Sequence, residues 1–383
     1  MPGLCYALRA EGLLQTGDFA FLYIKVFVEA VIVFRGAKFE TVHGAPAAMQ
    51  EQLKLETECL ARSWMRHSRN TLRTYLVQDV QDPRINVQSI LTRHFLIEQL
   101  FGVQFETLME HELRFALVTN WLLRLLKKPV RPRQLHLILD ALLAGGDDAE
   151  GLKIASYVSE TFATLAAPNY MCDLFCWSPV ETSDAPVPEH LLSTFEVIWR
   201  EVLACEEPRR ASVLEPACGS ANDYRFLEAF GLARLLDYAG SDLCEKNIAN
   251  AKGMYPDVRF EVGNVLKIDA ADGAYDYCFV HDLFEHLSVE ALEVAIGEIC
   301  RVTQKGICAG FFNMHDGDAH IVRPVGAYHW NTLSVAKTKA IFEQYNMAAS
   351  AVHVDTLLRS RFGCTDTHNK RAWTFVITRQ HPT

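Results

Sequence analysis

Along the second half of the chain, short apolar runs alternate with stretches whose apolar residues fall three or four positions apart. Val213-Leu214 ends one run, and 235–242, 258–264, 275–280 and 306–312 read as further strands. Helical spacing fills the gaps over 224–230, 245–252 and 289–302. Strands separated by helices predict a doubly wound α/β sheet of parallel strands. Beyond it, 331–334 starts a helix over 335–345, and 350–358 and 373–379 read as two β-rich strands.

The first half has a different texture. Helical patterns cover 49–73, 86–101, 105–128, 134–143 and 152–166. They are punctuated by Asp82-Pro83, Gly102, Pro129, Pro132 and the turn Gly145-Gly-Asp-Asp148. This predicts an all-α bundle. Pro179, Pro186 and Pro188 mark a linker over 178–189, followed by a helix over 190–204. The expected division is a helical unit at 1–185 and a sheet-bearing unit at 186–383. The apolar stretch 19–34 is interrupted by Lys25 and Glu29 and falls short of the roughly 20 residues a membrane span needs. It reads as a buried helix or strand pair.

Charge narrows the field. The chain of 383 residues carries a formal net charge of −10, against the basic surface expected of a nucleic-acid binder. Arg62, Arg66, Arg69 and Arg73 share a helical stripe, and Arg124, Lys127, Lys128, Arg131 and Arg133 form a second cluster. Both read as solvated faces paired with acids. The eleven cysteines lack paired metal-site spacing, Cys172 and Cys176 being a lone pair. No secretory leader is evident, so a cytoplasmic protein with reduced thiols is expected. Cys218, Cys278 and Cys308 sit in apolar strands as small hydrophobes.

The candidate chemistry centres on 212–223. Glu215 places a carboxylate at the end of a strand, and Ala217, Gly219 and Ala221 allow a tight turn. Asn222 or Asp223 is placed to cap the next helix. Asp242 ends the second strand roughly 20 residues after the turn, where nucleotide-binding α/β folds hold ribose hydroxyls.

The stretch V-L-E-P-A-C-G-S-A resembles motif I of the class I S-adenosylmethionine-dependent methyltransferases, with alanines in place of the first and third glycines. The resemblance covers about half the chain. It implies a Rossmann-like doubly wound sheet closed by an antiparallel hairpin, and S-adenosylmethionine as co-substrate. The cofactor-binding residues it implies are Glu215, Ala217, Gly219, Asp242, Leu243, Asn264, Val265 and His281. Asn264 stands where the family usually has an aspartate against the adenine. A dinucleotide-dependent oxidoreductase would instead need a G-x-G-x-x-G turn, which Ala217 and Ala221 do not provide.

His281, His286, His315 and His329 are the candidates for proton removal or acceptor contact. Asp282, Glu285 and His286 fall at i, i+3 and i+4, on one face if the segment is helical. They resemble the carboxylate–histidine set of metal-assisted O-methyltransferases, so a divalent metal is an alternative. The favoured reading has no metal, with that segment shaping the pocket. Tyr170 and Trp177 are read as interdomain packing or as lining of the pocket mouth. The acceptor expected is a small molecule, methylated on oxygen somewhat more readily than on nitrogen, carbon or sulfur. A non-catalytic module that binds the cofactor is the other alternative. The helical unit is expected to cap the pocket, confer selectivity or pair two subunits, with no nucleic-acid or membrane partner.

Overall fold

The structure, a computed structural model, describes residues 85–102, 106–125, 132–149, 151–165, 210–229 and 231–380. The expectations for 19–34, 49–73, the 178–189 linker, the 190–204 helix, the arginine stripe, Cys172, Cys176, Tyr170 and Trp177 lie outside the described residues.

Seven strands form the central sheet: β1 (Ala211–Pro216), β2 (Leu236–Asp242), β3 (Arg259–Val262), β4 (Tyr275–His281), β5 (Thr303–Phe311), β6 (Met347–His353) and β7 (Trp373–Arg379). Their order is β6-β7-β5-β4-β1-β2-β3. β1 to β5 run parallel; β7 is antiparallel to β5, and β6 to β7. The expected closing pair is present, but its connection is not a tight hairpin. Residues 354–358, expected to extend the strand begun at 350, instead open a helix, Val354–Phe362. Val354 and Leu358, four apart, are both buried, and Gly363 closes the helix at a left-handed φ of 65°.

Strand alternation sorts side chains onto two faces. Leu214, Cys278, Val280, Ile307 and Ala309 pack with two helices, Val289–Val302 and Val335–Glu343. Val213, Tyr277, Phe279 and Cys308 belong to the opposite core. That core also holds residues of α1 (Val87–Phe101), α2 (Glu106–Leu125), α3 (Pro132–Leu143), α4 (Ser156–Ala163) and α5 (Asn222–Ala229). Of the described N-terminal helices, α1 packs directly on the sheet, against β5 and β7.

α1 is delimited by its sequence. The Asn86 side chain accepts hydrogen bonds from the N–H groups of Gln88 and Ser89, and Gly102 turns left-handed at φ 66°. Its middle carries charge inward: buried Arg93 and His94 meet buried Glu112 of α2 at 3.2 and 2.5 Å. Its start bridges two strands, because Gln88 Nε2 donates to the carbonyls of Phe311 (2.9 Å) and Trp373 (2.8 Å). No helix among the described residues is long and apolar enough to cross a membrane.

Candidate functional site

β1 lies between β4 and β2, so the strand order reverses direction at its carboxyl end. Open α/β sheets bind ligands at such a point. The turn that fills it winds through three left-handed residues: Ala217 (φ 60°), Gly219 (φ 56°) and Ala221 (φ 64°). The two alanines take the conformation glycine would take, at roughly 1 kcal/mol each. The turn is pinned by Cys218 N–H to Ser241 O and by Gly219 N–H to the Asp242 carboxylate, both at 3.0 Å.

Asp242 has a double task. Its Oδ1 accepts from Cys244 N–H (2.8 Å) and Asn247 Nδ2 (3.2 Å), while Oδ2 holds the turn. Beside it the apolar side chain of Leu243 is 71% exposed. Asn264 is exposed and folds back to accept from Leu266 N–H at 2.9 Å, with Val265 half-buried next to it.

Glu215 is placed otherwise than expected. It is buried beneath the turn and accepts from the Tyr238 hydroxyl at 2.5 Å. Burial, with the charges of Asp223 and Asp242, pushes its carboxyl well above the usual range. The helix-capping expectation also needs correction. α5 begins at Asn222, so neither Asn222 nor Asp223 precedes it; the Ala221 carbonyl accepts its first helical bond, from Arg225 N–H.

Asp223 is instead the centre of a cross-link. It takes His281 Nδ1–H at 3.1 Å and the Ser89 hydroxyl at 3.1 Å, and the other His281 nitrogen meets Thr92 Oγ1 at 2.8 Å. Burial alone would push the imidazole down, but the Asp223 carboxylate outweighs it and raises the pKa. Burial likewise opposes, and His281 overcomes, ionisation of Asp223, whose pKa is lowered. His281 thus joins β4, α5 and α1 through its two ring nitrogens. Sequence reading missed Ser89, Thr92 and Gln88, because nothing in local spacing announces contacts made across more than a hundred residues.

The Asp282, Glu285 and His286 set does not converge on a metal. The expected helical face is absent: Asp282 is left-handed at φ 52°, and only Phe284–His286 forms a single 3-10 turn. Glu285 is fully buried, its Oε1 taking the N–H groups of Phe312 (2.7 Å) and Asn313 (3.1 Å). No group of three potential metal ligands occurs among the described residues.

The four candidate histidines separate. His281 turns to α1 and α5. His286 donates Nδ1–H to the carbonyl of His329 at 3.1 Å, which leaves Nε2 as its basic nitrogen. Its ring lies 5.4 Å from the rings of Phe312 and Trp330 and 5.8 Å from Tyr328. His329 thus contributes a carbonyl. His315 accepts from Gly317 N–H at Nδ1, and its Nε2 is buried without a partner. The described cysteines are free; burial pushes the Cys308 thiol up to about 12, as befits an apolar packing residue.

Residues 213–306 match the family model described as a methyltransferase domain. The match spans the segment from β1 to the start of β5. No curated protein matches its sequence. Among solved structures, it is similar to 1,6-didemethyltoxoflavin-N1-methyltransferase from Burkholderia thailandensis, solved with 1,6-didemethyltoxoflavin and S-adenosylhomocysteine. The two share 14% identity over 50% of this chain and 78% of that one, with a TM-score of 0.36. Magnesium protoporphyrin IX methyltransferase from Synechocystis, with bound S-adenosylmethionine, shares 15% identity over 49% and 79%, at 0.33. A methyltransferase from Mesorhizobium loti shares 13% over 48% and 97%, at 0.35.

Proposed function

We propose that the protein transfers a methyl group from S-adenosylmethionine to a small-molecule acceptor, with oxygen the favoured atom. One observation carries the reading. The left-handed turn at the reversal of strand order is held against an acid on the next strand, with an exposed apolar side chain beside it. That is the chemistry of a nucleoside cleft. Asp242 would take the ribose hydroxyls, Leu243 and Val265 the faces of the adenine, and the Asn264 amide its edge. Ala217 and Gly219 let the backbone approach. Glu215 sits beneath the turn and supports it.

The co-substrate supplies a methyl group already activated by a positive sulfur; the acceptor's lone pair bonds to carbon as the carbon–sulfur electrons stay on sulfur. The Asp242 carboxylate suits a cationic ligand. The protein aligns the reactants and accepts the proton the acceptor loses. His286 is the histidine best disposed for that, since its Nε2 carries a lone pair and His281 has both nitrogens engaged. The N-terminal helices, through α1, would cap the cleft and restrict what enters it.

Calorimetric titration with S-adenosylmethionine and NAD tests the reading. Binding of the first alone is expected, and Asp242→Ala should weaken it about tenfold or more through lost charge-assisted hydrogen bonds. Unchanged affinity in the variant would refute the ribose assignment. Binding without turnover across a broad panel of acceptors would favour a non-catalytic module.

A further inference from the structure

Four rings gather where β4 and β5 end. Phe312 directly follows β5, and His286 lies on the turn after β4. A short hairpin pairs Pro324–Val325 with Tyr328–His329, turns at Gly326 (φ 61°) and brings Tyr328 and Trp330 up to them. His286 is the ring that the other three touch, and Phe312 and Trp330 also meet, at 5.1 Å.

The base of this hairpin is held by polar groups. Asn331 is fully buried, gives Nδ2 to the Leu287 carbonyl at 2.7 Å and takes Arg323 N–H on Oδ1 at 3.0 Å. Its backbone N–H donates to Glu285 O at 2.9 Å, and its carbonyl takes Asn313 Nδ2 at 2.6 Å. Trp330 N–H donates to Arg323 O at 2.8 Å. The hairpin therefore has its anchor in Asn331 and the backbone. Its large side chains nevertheless stay open: Tyr328 is 48% and Trp330 44% exposed, and Ile321 and Val322 are exposed as well. Such a concentration of apolar surface within ten residues marks a place where something binds.

His286 adds direction to the apolar surface. The His329 carbonyl can only accept, so Nδ1 carries the hydrogen of their 3.1 Å bond and Nε2 is left. Nε2 makes no hydrogen bond among the described residues, and unlike His315 Nε2 it is not sealed from solvent. A reachable acceptor thus sits among ring faces.

We propose that this cluster binds a planar aromatic molecule that carries a hydroxyl. The ring lies against the open sides of Trp330 and Tyr328, and the hydroxyl donates to His286 Nε2. Trp330 and Tyr328 select the flat ring, and His286 selects the hydroxyl. The cluster shares the carboxyl edge of the sheet with the turn after β1, since β4 pairs with β1 in parallel. The inference rests on the methyl-transfer reading only where it makes that hydroxyl the methyl acceptor; the preference for an aromatic alcohol stands on the cluster alone.

Ligand-observed NMR with the full chain and S-adenosylhomocysteine compares naphthol, its methyl ether and its fully hydrogenated analogue. Naphthol is expected to bind about fivefold more tightly than the ether, as one hydrogen bond gives. It should bind about fivefold more tightly than the saturated alcohol, which keeps the hydroxyl and has no ring face. Trp330→Leu and Tyr328→Ser, both at exposed rings, should each weaken naphthol about tenfold, the loss of one stacking partner. His286→Phe keeps a ring in the cluster and should abolish the preference for naphthol over its ether. Equal binding of the three probes, or naphthol unaffected by both exposed-ring variants, overturns the proposal. Should His286→Phe fail to fold, the ratio of naphthol to ether in the parent decides the hydroxyl contact. A dimer in sedimentation that Trp330→Leu splits would assign the surface to a second copy of the chain and overturn the proposal too. Inter-ligand nuclear Overhauser effects are expected between naphthol and the methylene groups beside the sulfur of S-adenosylhomocysteine. Aromatic-alcohol preference without them would sink methyl transfer to that hydroxyl and leave the ring site standing. Binding of S-adenosylhomocysteine with no such preference would do the reverse.

Discussion

Replacing Glu285 by glutamine should change how stability depends on pH more than it changes stability at any one pH. Glu285 is fully buried, with Oε1 held by two backbone N–H groups and Oε2 sealed without a partner. Burial, against the pull of those amides, pushes its carboxyl from the ordinary 4.5 up to about 8. Between those values the folded protein keeps a proton that the unfolded chain releases, so rising pH favours unfolding. Linkage over that shift gives a loss on the order of 3 kcal/mol between pH 5 and pH 8. Glutamine keeps a carbonyl oxygen for both amides and has no proton to lose. Its unmet N–H adds a fixed cost of roughly 1–3 kcal/mol at every pH. That cost, and the titration of every other group, cancels when the two proteins are compared at two pH values. Urea unfolding of both at pH 5 and pH 8 reads the difference. The variant should gain about 3 kcal/mol relative to the parent on going to pH 8. An equal gap at both pH values would mean that Glu285 is ionised in the folded protein, and the argument from burial would fail.

Other perturbations test the frame of the site. Ala217→Gly should raise stability by about 1 kcal/mol by relieving a left-handed alanine; a lower melting temperature would count against the strain reading. Gly310→Ala should cost roughly 1–3 kcal/mol, because its Cβ would meet His281 Cδ2 at 2.6 Å; a neutral effect in thermal unfolding would contradict that packing. Asp223→Asn removes the ion pair with His281. The parent's extra stability holds between the lowered Asp223 and raised His281 pKa values, falling as pH drops through the first or rises through the second. The variant should lose about 2–4 kcal/mol near neutrality and show a flatter profile; hydrogen exchange at α1 that stays unchanged would show the cross-link is dispensable.

The sheet was largely legible because each strand carries its own signal. Apolar runs located β1 to β5 within a few residues, and Asn86 and Gly102 marked the ends of α1 through groups local to them. The last helix was not legible. Residues 354–358 are apolar enough for a strand, and the helix there draws on burial of Val354 and Leu358 and on a left-handed Gly363. The Asp282, Glu285 and His286 spacing misled because it assumed a helix where the chain makes a single tight turn.

By itself the sequence determined the order of strands and helices, the small-residue turn after β1 and the acid at the end of β2, since these follow from periodicity and backbone preference over a few residues. Only the tertiary structure decided what each charge is spent on. Asp223 binds His281 and Ser89, and Glu285 binds two amides. Hydrogen bonds and ion pairs reach only a few ångströms, so their partners are fixed by which elements stack together, and spacing along the chain carries no record of that.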